Sequence, residues 1–370
     1  MKAAVLREVN TSYKIEDVTL NRDVKANEVK VKIIATGMCH SDEAIRTGQT
    51  SFGFPGILGH EGAGIVEEVG PGVLDIEQGD HVVLTDGHCG HCEACLSGNP
   101  SVCDYWEEIN ISGTSFDGSK IFKGSDKKDL NMFYNQSSFT EYTITHRNNV
   151  VKVDKDLDLR ILGPLGCGFL TGSGTVFNGL KPSAGDSIAV FGTGAVGLSA
   201  IISAKISGCY PIVAVDIHEN RLELAKELGA THVINSKNEE VLAQVDKFTS
   251  QRGVNYTIDT TGVPAVMEFA RDSLAKNGVA ALVAVTDKTF ETSPFVNLAA
   301  AQRTIKGVLM GDSVSQIEIP KLIQYYRRGL FPFDKLIKFY NFKDINEAAE
   351  DSNSGKVIKP VLIVDELYTP

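Results

Sequence analysis

Four cysteines fall within one short stretch, Cys89-x-x-Cys92-x-x-Cys95 and then Cys103. Four thiolates at this spacing can surround one ion tetrahedrally, and a shell filled by four sulfurs is a closed, structural zinc site. Glycine and asparagine punctuate the loop, as a chain that wraps an ion requires. His88 and His91 interleave with the cysteines but are surplus to a filled shell, so they are expected to be solvated neighbours. A redox-active Cys-x-x-Cys would sit in a thioredoxin-like βαβ context, which is missing here. A nucleic-acid zinc ribbon would pair two separated knuckles in basic surroundings, and neither is present.

A second chemical signal is Gly192-Thr193-Gly194-Ala195-Val196-Gly197, a G-x-G-x-x-G that follows an apolar strand-like run and opens a helical one. Gly192 permits a tight turn, Gly194 lets backbone approach a pyrophosphate at a helix N-terminus, and Gly197 allows close helix–strand packing. Asp216 ends the next apolar run, where a carboxylate accepts hydrogen bonds from a ribose 2′-hydroxyl. No Arg or Lys follows it directly, which favours NAD over its 2′-phosphorylated form.

Three further residues are scattered. Cys39 lies in Thr36-Gly37-Met38-Cys39-His40-Ser41-Asp42, His60 in Gly59-His60-Glu61-Gly62, and Cys167 in Gly166-Cys167-Gly168. A catalytic zinc takes three protein ligands and keeps one position open. Two sulfurs and a nitrogen would supply that set, yet an isolated cysteine is more often an apolar core filler. Cys209 has no comparable company and reads as core.

These residues must be positioned by a chain of 370 residues, long enough for about two domains. Lys and Arg total 36 against 47 Asp and Glu, a net charge of −11. That balance argues against broad nucleic-acid binding and against an anionic membrane surface. No apolar run approaches the roughly 20 residues of a membrane span. Seven cysteines, four of them clustered, fit reduced metal ligands in the cytoplasm better than a secreted disulfide framework. Short strand-like runs at Ala3–Leu6, Val29–Ala35, Gly64–Val69 and Val82–Leu84 make the first part β-rich. From Cys103 to Ser137 the sequence has no clear period and reads as a long loop or insertion. After about Leu162, strands near Ser187–Phe191, Pro211–Val215, His232–Ile234, Tyr256–Asp259 and Val279–Val285 alternate with helices. Such alternation predicts βαβ units and a parallel sheet. A helix near Pro320–Arg328 and a strand near Val361–Val364 close the chain.

Taken together, Gly37–Asp42, Gly59–Gly64, the Cys89–Cys103 cluster, Gly166–Gly168 with Thr171-Gly172, and the Gly192–Gly197 turn resemble the zinc-dependent medium-chain alcohol dehydrogenases over essentially the whole chain. Gly163–Gly168, Leu222–Lys237 and Phe331–Asp334 add a narrower likeness to aryl-alcohol (benzyl-alcohol) dehydrogenases. The resemblance implies an α/β chain with a GroES-like β-rich catalytic domain over 1–165, carrying the structural zinc loop 86–104. A Rossmann NAD-binding domain would follow over 166–311, with a return to the catalytic domain over 312–370.

The resemblance also implies NAD and two zinc ions per chain, with the catalytic zinc on Cys39, His60 and Cys167. Glu61 would lie in or near that shell, Asp42 would orient His60, and Ser41 would touch the alcohol oxygen. Thr171 would pack near the nicotinamide, His40 and Lys359 would meet the pyrophosphate, and Arg221 the adenosine ribose. The expected reaction is reversible oxidation of a primary, aromatic or bulky apolar alcohol to its aldehyde by a homodimer or homotetramer, without nucleic-acid or membrane partners. Tyr105, Trp106 and Phe139 are expected near the substrate, and Thr85 stands where some relatives carry a large aromatic. Alternatives are a polyol or formaldehyde–thiol substrate, or a non-catalytic zinc-stabilised cofactor-binding protein. Relatives with a full proton relay carry a His three residues after the Ser; here that residue is Ala44. Water release is therefore expected, with Arg46 tuning the site electrostatically and Glu43 a weaker candidate for a base.

Overall fold

A computed structural model describes all residues from Met1 to Pro370. The chain divides into two units: Met1–Cys167 with Val314–Lys321 and Asp334–Pro370, and Gly168–Ser313 with Leu322–Phe333.

The first unit is β-rich. Strands Lys2–Leu6, Lys14–Leu20, Phe122–Gly124, Asp129–Met132 and Gly56–Ile57 close into a barrel. Beside it lies a seven-stranded sheet in the order Val150–Val153, His81–Leu84, Glu61–Val69, Glu28–Gly37, Lys359–Ile363 and Ile337–Asn341, with Tyr142–His146 also paired to Glu28–Gly37. Val29, Val31, Ile33, Val66, Val82, Leu84 and Val150 form one apolar cluster of this sheet. Its turns fall at glycines, with Gly72 at φ +91° and Gly79 at φ +86°.

The stretch from Cys103 to Ser137 is not a structureless loop. It holds the helix Trp106–Ile111 and two strands of the barrel. Its strands are too short to show a period, and a barrel supplies their pairing from distant sequence.

The second unit is a six-stranded, wholly parallel sheet. Its order is His232–Asn235, Ile212–Asp216, Ile188–Phe191, Val254–Asp259, Leu274–Leu282 and Thr304–Gly307. Ile188, Ala189, Val190 and Phe191 are all buried, as expected for a strand covered on both faces. The first three strands progress outward and the chain then crosses back, the doubly wound order of a dinucleotide-binding fold. No helix is long and apolar enough to cross a membrane.

Candidate active site and structural metal centre

The scattered Cys39, His60 and Cys167 meet because three backbone segments converge at one end of the seven-stranded sheet. Strands Glu28–Gly37 and Glu61–Val69 pair antiparallel with Gly37 opposite Glu61, which brings the residues just beyond them together. Cys39 caps the short helix His40–Arg46, and its backbone N–H donates to Asp42 Oδ2 at 3.0 Å. Gly59 turns at φ +89°, and a Cβ there would stand 2.5 Å from the Phe139 ring. Cys167 follows the turn Gly163–Gly166. A Cβ on Gly163 would lie 2.2 Å from Glu61 O, and one on Gly166 2.0 Å from Leu84 O. Only glycine lets this turn dock on both strands.

The ligand atoms of Cys39, His60 and Cys167 lie within 4.8 Å of one another. His60 is fully buried, and its Nδ1 is 3.1 Å from Asp42 Oδ1. A carboxylate can only accept, so it assigns the proton to Nδ1 and leaves the Nε2 lone pair free. That Nε2 is buried without any protein partner, the signature of an atom awaiting a metal. Two sulfurs and this nitrogen fit a zinc ion with an open fourth position. Burial opposes charge on His60, but Asp42 raises it above the ordinary range, so a metal taking the Nε2 lone pair displaces a proton there. The hydrogen bond between the two cysteines draws Cys39 well below the usual thiol range, helped by Lys359 and His60, and pushes Cys167 above it.

Ser41 places its hydroxyl 3.9 Å from Cys39 Sγ. Glu61 is fully buried, with both oxygens 2.8 Å from Lys359 Nζ, which also donates to Met38 O at 3.0 Å. These three acceptors use all three ammonium hydrogens, and Lys359 is 2% exposed. Lys359 thus stands as the counter-ion of Glu61. Glu61 keeps it charged against the opposing effect of burial. His40 is exposed on the short helix.

Arg46 is likewise ion-paired. Its guanidinium grips both Glu43 oxygens at 2.6 and 2.7 Å and donates to Thr11 O. Its charge is answered by Glu43, so neither residue is a free electrostatic or basic group. Ala44 is buried.

The rings packed on His60 are Phe133 and Tyr134. Tyr105 is 46% exposed over His91, and Phe139 is buried against Tyr13. Phe133 packs edge-on to the His60 ring at 5.3 Å, and Tyr134 lies tilted over it at 4.7 Å. Phe52 and Phe54 extend this row outward, each step 5.6 Å between ring centres. Tyr134 and Asn135 hold φ near +50°, a left-handed conformation that non-glycine residues adopt at a cost. Thr85 is buried and bonded through its hydroxyl.

Cys89, Cys92, Cys95 and Cys103 bring their sulfurs within 4.8 Å of one another. Cys89 and Cys95 Sγ are 3.9 Å apart, as are Cys92 and Cys103 Sγ. Backbone N–H groups of His91 and Cys92 point at Cys89 Sγ, and that of Cys89 at Cys103 Sγ. Donors aimed at sulfur favour thiolates; those of Asp104 and Cys95 draw Cys92 down to about 6. His91 is exposed and His88 half-buried, outside the sulfur shell.

In the second unit, Gly192 adopts φ +87° and Gly194 faces open space, while a Cβ on Gly197 would lie 1.9 Å from Gly192 O. Ala195 and Val196 start the helix Ala195–Ile206. Asp216 ends its strand and accepts from Thr193 N, Thr193 Oγ1, Ile217 N and His218 N at 2.6–2.9 Å. Burial opposes its charge, but these donors hold it below the usual carboxylate range. Arg221 Nε is buried without a partner, and Thr171 lies buried in the helix Gly168–Gly174.

The comparisons with known proteins agree with this geometry. Residues 25–155 match the alcohol dehydrogenase GroES-like domain family, and residues 195–327 the zinc-binding dehydrogenase family. The geraniol dehydrogenase of Castellaniella defragrans is 37% identical over 98% of this chain and 97% of its own length. An alcohol dehydrogenase zinc-binding domain protein from Burkholderia ambifaria is 43% identical with a TM-score of 0.95, covering 99% of both chains. The benzyl alcohol dehydrogenase of Acinetobacter calcoaceticus is 41% identical with a TM-score of 0.94, covering 98% of this chain and 99% of its own. The chain belongs to the zinc-dependent medium-chain alcohol dehydrogenases. The family uses NAD, and the two cysteine-bearing sites fit two zinc ions.

Proposed function

We propose that the enzyme oxidises a primary alcohol with an aromatic or bulky apolar substituent to its aldehyde, reversibly, with NAD. The observation that carries this reading is the aromatic row Phe133, Tyr134, Phe52 and Phe54 beginning on the His60 ring. A flat apolar substituent gains about 25 cal/mol per Å² of surface buried there, plus offset or edge contacts between rings. The relatives named for benzyl alcohol and geraniol support the same substrate class.

Zinc bound by Cys39, His60 and Cys167 supplies Lewis acidity that lowers the pKa of an alcohol oxygen. NAD supplies the hydride acceptor. The chain's own residues do the rest. Ser41 accepts the alcohol proton at its hydroxyl, which stands beside Cys39. Asp42 fixes the tautomer and orientation of His60. Lys359 neutralises Glu61, so that a buried carboxylate beside the triad does not repel negative charge growing on the substrate oxygen. With Ala44 in place of a terminal base, the proton leaves Ser41 to water.

In the nucleotide half, Gly192, Gly194, Ala195, Val196 and Gly197 receive the pyrophosphate, with Thr171 toward the nicotinamide; His40 is assigned to the pyrophosphate by the family resemblance alone. Asp216 and Arg221 take the adenosine ribose. An ionised Asp216 repels a 2′-phosphate, which selects NAD. All seven cysteines are unpaired, which suits the cytoplasm.

Comparing kcat/KM for benzyl alcohol and ethanol tests the substrate class. Benzyl alcohol is expected to win by at least about tenfold, the value of one well-packed ring contact. A preference for ethanol overturns it.

A further inference from the structure

Between the four-cysteine loop and the Cys39–His60–Cys167 triad stands a buried carboxylate that neither site uses. Asp86 follows the strand His81–Leu84 and is 7% exposed. Its Oδ2 accepts from Trp106 Nε1 at 2.9 Å, and its Oδ1 from Thr85 Oγ1 at 3.1 Å.

Each neighbour leads to a different site. Trp106 opens the helix that follows Cys103, its backbone N–H donates to Cys103 O at 2.9 Å, and its side chain packs on the cluster of Cys92, Cys103 and Ile109. Thr85 Oγ1 also lies 2.9 Å from the carbonyl of Gly166, the peptide that carries Cys167. A second path runs through rings: Trp106 stands edge-on to Tyr134 at 5.4 Å, and Tyr134 lies over His60. Two side-chain amides brace the arrangement. Gln136 Nε2 donates to both His60 O and Thr85 O, at 3.0 and 3.1 Å. Asn110 bonds both Gly87 backbone groups and Trp106 O, at 2.8–2.9 Å, which locks the helix beside Asp86.

We propose that Asp86 and Trp106 are positioning residues that rigidly couple the four-cysteine metal loop to the triad, setting the placement of Cys167 and His60. The physical grounds are connectivity and burial. A carboxylate removed from water is tolerated where a donor satisfies it; here Trp106 donates from the four-cysteine side, and on the triad side the Thr85 hydroxyl has one hydrogen for Asp86 Oδ1 and Gly166 O. A packed, hydrogen-bonded link transmits displacement because its parts lack room to yield independently. A loop that needed metal only for its own stability would not require the helix that follows it to be tied to the peptide bearing a ligand of the other site. The inference takes the triad as a metal site but does not depend on which alcohol or nucleotide the enzyme uses.

The experiment loads the triad of the full-length protein with Co(II), leaving zinc on the four cysteines, and compares Asp86→Asn and Trp106→Phe with the unaltered protein. Both variants are expected to shift the visible absorption of Co(II) and to speed its loss to a chelator by about tenfold, the lower end of effects seen for groups behind metal ligands. The zinc content of the four-cysteine site is expected to stay at one per chain. A merely structural role would lower thermal stability without moving the Co(II) spectrum. Trp106 is the only tryptophan of the chain, so its emission provides a second measurement that needs no variant. Emission is expected to change reversibly as the triad metal is removed and restored. Unchanged Co(II) spectra and release rates in both folded variants overturn the coupling, as does emission indifferent to the triad metal if the variants do not fold. Failure of the triad to take up Co(II) at all would instead count against its reading as a metal site.

Discussion

Replacing Asp42 by Asn tests how the triad is assembled. Asp42 accepts from three donors, His60 Nδ1 at 3.1 Å, Gly59 N at 2.9 Å and Cys39 N at 3.0 Å. Asparagine is the same size but has a single acceptor oxygen, so its amide hydrogens must face a donor. If they face Cys39 N, the turn carrying the first ligand loses its cap. If they face His60, Nδ1 must give up its proton and Nε2 then carries one, which removes the lone pair from the metal site. Either arrangement leaves a buried donor unsatisfied, at about 1–3 kcal/mol. Groups behind metal ligands contribute 10–100-fold to affinity, about 1.4–2.7 kcal/mol. The two ranges agree, so Asp42→Asn should weaken metal binding at the triad by 10–100-fold and lower kcat with it. Competition with a chromogenic chelator, with the four-cysteine zinc counted separately, measures the first quantity. An Asn variant that holds its triad metal within twofold of the original refutes the role given to Asp42.

Cys92→Ser should lower stability, because structural zinc binding is coupled to folding; a loss of about 3 kcal/mol lowers the melting temperature by roughly 6–12 °C. Cys167→Ser should stay folded yet lose turnover, and near-normal activity there, or a stable Cys92→Ser that is inactive and still holds two zinc ions, would reverse the two assignments. Asp216→Gly should narrow the NAD preference by about 10–100-fold, the worth of a charge-assisted hydrogen bond, and an original enzyme that prefers the 2′-phosphorylated cofactor would sink that reading. His146 is stacked on Phe116 at 4.0 Å, and burial lowers it from 6.5 to about 4. Below pH 6.5 the unfolded chain binds a proton that the folded one refuses, so stability is complete above that value and is lost as pH falls to about 4. Discounted for partial exposure, the loss is about 1–2 kcal/mol, and His146→Gln should remove that part of the slope in urea titrations at pH 7 and 5.

How much could be read beforehand depended on whether a signal was local. Ile188–Phe191 is buried on both faces, so its apolar run stands out; Lys14–Leu20 buries only Val18 and gives almost no pattern. The four-cysteine site is written in spacing alone, because one loop supplies every ligand. The triad is spread from residue 39 to residue 167, and only strand pairing and a docked glycine turn bring it together. Which rings meet His60 is set by position in the fold, and no local pattern marks Phe133 and Tyr134 for that contact. No sequence signal marks the left-handed backbone that seats Tyr134. The pairing of Arg46 with Glu43, by contrast, was legible as an i, i+3 pair on a helix.

Alcohol oxidation at the triad demands that activity follow the metal held by Cys39, His60 and Cys167. The most direct measurement withdraws that metal stepwise, keeps zinc on the four cysteines, and follows NAD reduction with benzyl alcohol against zinc content. Turnover should fall in proportion to triad occupancy, vanish at one zinc per chain, and return when zinc is restored. Full activity with one zinc per chain, held by the four-cysteine site, would contradict the assignment.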